Sequence, residues 1–212
     1  MRATLLKAIS VLVGQSQLGE RRSRLSRNLF RLRIAAVPVL LTVIVVPNVT
    51  KAQSSGLTEY QVKAAFLYNF AKFVEWPPDA FPNNTTPFTI CVLGDNPFGS
   101  SLNEIVQGQT INARGFVIRT NIQKQDVKAC HILFISDSEK KQLLEDLKSL
   151  RGTSVLTVGE TPDFAEQGGQ IQFFWVNGKI RFAVNTDAAE RAHLKMSSKL
   201  LALAKIVHDE KQ

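Results

Sequence analysis

The chain has 212 residues, with 26 Lys or Arg against 18 Asp or Glu and a formal net charge of +8 at pH 7. Nine of those basic residues and a single acid, Glu20, lie at or before Ala52, so 17 of each sign remain after it. The basic excess therefore belongs to the leading segment, and no basic run after Lys51 would serve as a nucleic-acid footprint.

The leading segment reads as an export signal. A basic stretch runs from Arg2 to Arg33, and Ile34 to Thr50 carries no charge. Thr50 and Ala52 then place small residues at the −3 and −1 positions of a signal-peptidase site. The apolar run is shorter than the ~20 residues needed to span a bilayer, and Pro38 and Pro47 interrupt it, which favours cleavage over a retained anchor. The expected organisation is a signal peptide over 1–52, cleaved after Ala52, and one exported domain over 53–212, large enough to bury its own core. Export also removes ATP, NAD and most cytosolic chemistry from the expected ligands.

The domain reads as alternating elements. Thr58 and Gln61 form a capping box. The helix that follows places Val62, Ala65, Phe66, Asn69, Phe70 and Phe73 near helical spacing and stops before Trp76-Pro77-Pro78. The turn-rich stretch from Pro77 to Pro87 is a loop. A strand over Phe88–Leu93 leads through Gly94-Asp95-Asn96-Pro97 to a short helix, Phe98–Val106. Strands are expected at Phe116–Arg119, Ile132–Ile135 and Val155–Val158, an amphipathic helix at Glu139–Leu150, and a short helix at Pro162–Glu166. Asn177-Gly178 between two strand-like runs predicts a tight hairpin, because its turn needs φ > 0 twice. A helical turn or two at Asp187–Ala192 and a final helix through Val207 complete the chain. The pattern predicts a three-layer α/β fold: a mainly parallel sheet, helices on both faces, and an antiparallel edge hairpin.

Two cysteines are present, Cys91 and Cys130. An even pair in an exported chain favours a disulfide over two buried thiols. The segment Gly94 to Ser100 has the glycine spacing of a phosphate loop but lacks its lysine and reads as a strand-to-helix turn. Lys195-Met196-Ser197-Ser198-Lys199 has no ATP-binding partner motif. His131, His193 and His208 are isolated, with no companion at metal-ligand spacing. No Gly-x-Ser-x-Gly elbow occurs. The positive case for an enzyme is thin, and no metal or cofactor is expected. The first helix carries more aromatic area than one core face needs. Phe70, Phe73 and Trp76 are therefore candidate partner contacts, although core packing is their ordinary use.

Five segments in order resemble a known family. They are Lys63 to Phe73 through Trp76-Pro77; Cys91 to Gly99; Ala129 to Ser136; Val155 to Gly159 with Phe164-Ala165 and Gly168-Gly169; and Ala188-Ala189 through Leu194 to Leu201. Together these are similar to the YfiR/HmsC-like periplasmic proteins, over essentially the whole exported part.

The resemblance implies a periplasmic α/β regulator, not an enzyme. Its expected partner is the periplasmic domain of an inner-membrane diguanylate cyclase, repressed by protein–protein contact in cyclic-di-GMP and biofilm signalling. An OmpA-like outer-membrane lipoprotein that sequesters the repressor is a second implied partner, and a homodimer is left open. The alternative is a periplasmic small-ligand sensor feeding a membrane sensor kinase. Cys91 and Cys130 match the family's disulfide pair, whereas a second pair around Phe164–Gln172 is absent. Ala183 stands in a slot that is often acidic, and His193 stands where glycine is common. Asn185, Arg191 and Lys195 are the candidate contact residues beside the hairpin.

Overall fold

The computed structural model describes residues 58–209, so the expected leader and its cleavage point lie outside the described residues. Helix α1 spans Glu59–Phe73. Its capping box forms as expected: the Gln61 amide donates to Thr58 Oγ1 at 3.3 Å, and the Thr58 amide donates to Gln61 Oε1 at 2.8 Å. The buried face is Lys63, Ala64, Leu67, Phe70 and Ala71. The apolar arc of this helix is broad, and the sheet takes a face centred on Leu67 rather than on Phe66, leaving Val62, Phe66 and Phe73 half-buried beside it. After α1 the chain extends as a two-residue strand, β1 (Val74–Glu75), because the prolines at 77 and 78 can neither donate to nor continue a helix.

The remaining strands are β2 (Phe88–Leu93), β3 (Phe116–Arg119), β4 (Ile132–Ile135), β5 (Leu156–Gly159), β6 (Ile171–Val176), β7 (Lys179–Asn185), β8 (Lys195–Met196) and β9 (Lys205–Val207). Seven of them form one sheet in the order β3-β2-β4-β5-β6-β7-β9, with β3 through β6 mutually parallel and β7 turned back antiparallel to β6. Asn177 at φ 50° and Gly178 at φ 72° make the expected hairpin turn. Strand β9 adds parallel to β7 on its outer side, so the hairpin stands one strand in from the edge.

Alternating side chains serve two layers. Ile90, Val92, Ile132, Phe134, Leu156 and Val158 face one core with α1 and with α2 (Ser101–Val106), whereas Cys91, Leu93, Leu133 and Ile135 face a second core with α3 (Leu143–Ser149). That is the three-layer α/β arrangement the sequence implies. Each fully buried side chain of this size contributes about 1.5–3 kcal/mol, so both layers matter to stability. Cys91 and Cys130 form a disulfide in the second core, with Cα atoms 5.9 Å apart.

Three elements differ from the sequence reading. The expected final helix is one turn, α5 (Ser198–Leu201), after which Ile206 and Val207 pair with β7. Those β-branched residues gain a strand partner that helical periodicity cannot reveal. The expected helix at 162–166 is a series of turns, because Asp163 takes φ 60° and the chain must fold over Phe164. The ring of Phe164 lies on the bare backbone of Gly159 and Gly169, and a Cβ at either position would overlap it. Third, a 3₁₀ stretch over Asp137–Gln142 replaces the first turns of the expected helix before α3.

Candidate partner-binding groove

Strand β1 pairs antiparallel with β8, Val74 opposite Met196 and Glu75 opposite Lys195. The Ser197 amide donates to Phe73 O at 2.9 Å and extends this ribbon. It carries the end of α1 against the segment following α4 (Thr186–Arg191). The result is a groove of about 570 Å³ lined by Glu75, Trp76, Pro77, Glu190, His193 and Lys195, among others. Two of the candidate contacts, Trp76 and Lys195, meet here although they stand far apart in sequence.

Trp76 packs edge-on against Phe88, with ring centroids 5.3 Å apart. Its Nε1 is enclosed and has no acceptor among the described residues. An enclosed indole N–H without an acceptor costs about 1–3 kcal/mol. Lys195 and His193 are exposed. His193 takes φ 56°, with its amide on Glu190 O and the Leu194 amide on Ala189 O, both at 3.0 Å. This left-handed helix ending is the geometry glycine prefers, as its glycine-like slot implies.

The other candidates are placed differently. Phe70 is fully buried, stacked on Phe173 at 5.8 Å and edge-on to Phe182 at 5.3 Å. Asn185 is also fully buried. Its Oδ1 accepts from the Ala188 amide at 2.9 Å and caps α4, while Nδ2 donates to Ala165 O and to Asp209 Oδ1, each at 2.7 Å. These two residues are scaffold, because their contacts are used up inside the fold. Phe73 is half-buried at the base of the ribbon. Arg191 lies outside the groove lining and grips Asp209 with both of its terminal nitrogens. Burial works to raise the Asp209 carboxyl, but hydrogen bonds from Arg191 and Asn185 outweigh it and hold the group below its ordinary value.

The sequence reading missed Glu75, Glu190 and His193 as groove residues. Nothing local marks them, since the groove exists only once the two ends of the domain pair. Among the described residues, no group of three or more His, Cys, Asp or Glu is placed to hold a metal ion, and no helix is long and apolar enough to cross a membrane.

A family model described as YfiR/HmsC-like matches residues 60–205. Among solved structures the chain is similar to a conserved domain protein from Vibrio cholerae O1 biovar El Tor strain N16961, at 12% identity and a TM-score of 0.45. The match covers 72% of this chain and 61% of that one, less than two thirds of the neighbour's length. Comparison with curated proteins gives no match.

Proposed function

The chain belongs to the YfiR/HmsC-like family, and from that premise we propose that its exported domain is a periplasmic regulator that holds a membrane-bound diguanylate cyclase inactive by protein–protein contact rather than by catalysis. The observation that carries this reading is the groove built by the β1–β8 ribbon. It offers a partner the half-buried ring of Trp76, an exposed cation at Lys195 and acids at Glu75 and Glu190. That mixture of an aromatic anchor and a charged rim is what a protein interface uses. An OmpA-like lipoprotein relieves repression by competing for the same face, and a homodimer would have to leave the groove open.

A repressor moves its target only as far as its affinities for the target's two states differ. A tenfold preference supplies about 1.4 kcal/mol, so useful repression needs roughly a hundredfold or more. Deleting the gene should raise cyclic-di-GMP and surface attachment, and the exported domain supplied in trans should restore the low state. Unchanged cyclic-di-GMP in the deletion strain, with the partner operon expressed, removes the proposal. Export itself is tested by N-terminal sequencing of the released form, which should begin at Gln53.

A second reading is a small-ligand sensor module feeding a membrane sensor kinase. The observation that favours it is a separate cleft at the other end of α1.

A further inference from the structure

That cleft opens where β4 and β5 end and β6 runs on past them. It has a volume of about 750 Å³, bounded by the first turn of α1, the segments after β4 and β5, and the outer half of β6. The carboxyl ends of parallel strands are where open α/β sheets place ligands. Lys63 forms the floor and is only 3% exposed, with its ammonium held between Glu59 and Glu160. The Tyr60 hydroxyl donates to Glu160 Oε1 at 3.1 Å, and the Lys63 ammonium lies 4.6 Å from the Tyr60 ring centroid. Trp175 forms the wall, with its Nε1 donating to Glu59 Oε1 at 3.3 Å.

Two features are left over once the floor is accounted for. The first is charge. Glu59 and Glu160 together exceed what Lys63 neutralises, and Asp137 and Asp163 at the rim are opposed only by Lys140, so the cleft carries four carboxylates against two ammonium groups. The Tyr60 hydroxyl registers this field: burial first, then Glu160, Glu59 and Asp137, push it up to about 12. The second is the indole of Trp175, which is 54% exposed beside these acids although the core has no lack of aromatic packing. An exposed indole next to surplus carboxylate is complementary to a cation that can sit over a ring face and donate charge-assisted hydrogen bonds to the acids.

We propose that this cleft binds an organic cation, a guanidinium or primary ammonium group, held against Trp175 by Glu160 and Asp137. The cation comes either as a free amine or as an arginine side chain of a partner protein. The inference supplies the ligand-sensor reading with a site and a ligand charge. It stands apart from the repression groove, and its test is binding in vitro, so its failure leaves cyclic-di-GMP repression untouched.

The test is calorimetry on the purified exported protein at fixed ionic strength. Agmatine represents the free amine, a blocked Gly-Arg-Gly peptide represents the side chain, and glutarate is the anionic control. Agmatine or the peptide should bind saturably and glutarate should not; whichever of the two binds tighter identifies the source. Trp175→Ala and Asp137→Asn, both at exposed positions, should each weaken binding about tenfold, the effect of ~1.4 kcal/mol. Lys140→Ala should tighten it severalfold by removing a like charge. Melting temperatures confirm that each variant is folded. No saturable binding of either cation up to millimolar concentration overturns the proposal. So does equal binding of glutarate, or an affinity indifferent to both Trp175→Ala and Lys140→Ala.

Discussion

Val74 pairs with Met196, so the end of the first helix and the penultimate helix meet in one two-stranded ribbon. This pairing builds the groove proposed as the partner surface out of two segments that carry little signal apart. Lys195 lies exposed on that ribbon and Arg191 does not line the groove. Lys195→Glu should therefore relieve repression, read as raised cyclic-di-GMP, with stability changed by no more than about 0.5 kcal/mol, as for an ordinary surface substitution. Arg191→Glu should behave differently, because it sets a second carboxylate against Asp209. Its main effect should be a lower melting temperature, and full repression by any protein that stays folded. Repression unaffected by Lys195→Glu would move the contact away from the ribbon.

The disulfide should matter to stability through the unfolded chain. Cys91 and Cys130 are 39 residues apart, and closing a loop of that size contributes about 4 kcal/mol in the chain-entropy model. Cys130→Ala should therefore shift urea unfolding to lower denaturant by an amount corresponding to about 2–4 kcal/mol. Protein taken from the periplasm should weigh less than its reduced form by the mass of two hydrogens. Two freely alkylated thiols in native protein would remove the basis of this expectation.

Much of the architecture was legible because its signals are local. The capping pair Thr58 and Gln61, the hairpin turn at Asn177-Gly178, and the continuous apolar runs of β2, β4 and β5 each act within a few residues. The sequence does not show what long-range pairing decides. Lys195-Met196 is too short to read as a strand, and Ile206 looks helical until β7 offers it an edge. The cleft was invisible for the same reason. Lys63 sits four residues after Glu59, an ordinary surface pair by spacing, and only its contact with Glu160, 97 residues away, makes it the buried floor of a site. Of the candidate site residues, Trp76 and Lys195 reach the groove. Phe70 and Asn185 carry the same apolar and polar labels in the sequence but are consumed by the core and by a helix cap.

His193 offers a test of the fold around the groove. It holds φ 56°, a left-handed conformation that costs a non-glycine residue roughly 1–2 kcal/mol. Replacing it with glycine removes that strain but adds freedom to the unfolded chain, worth about 0.4–1 kcal/mol in the other direction. His193→Gly should therefore raise stability by about 0.5–1 kcal/mol, a net of these two effects, measured by urea unfolding. A loss of stability would mean that the imidazole makes a contact outweighing its backbone strain.

His131 links the fold to acidity. The Thr89 amide donates to its Nδ1 at 3.0 Å, so the proton resides on Nε2, which donates to Ala80 O at 3.1 Å. The neutral ring stacks on Phe81 at 4.3 Å, and the Arg114 guanidinium covers Phe81 at 4.2 Å. Asp79, Arg119 and Lys128 line the adjoining recess. Burial lowers the His131 pKa below its ordinary value; the Ala80 hydrogen bond opposes this and the charge of Arg114 adds to it. With the folded value depressed, the unfolded chain takes up the proton first as pH falls below about 6.5. The stabilisation is thus fully present above that pH and is lost as pH falls through the folded value, at no more than about 1.4 kcal/mol per pH unit for one proton. Asp209 titrates lower and does not overlap this window. Urea unfolding of the exported protein should therefore show stability falling as pH drops below about 6.5. His131→Gln should be less stable at pH 7 yet flatter over the same range, because it cannot take up the proton. Parallel pH profiles for the two proteins would show that His131 is not the titrating group.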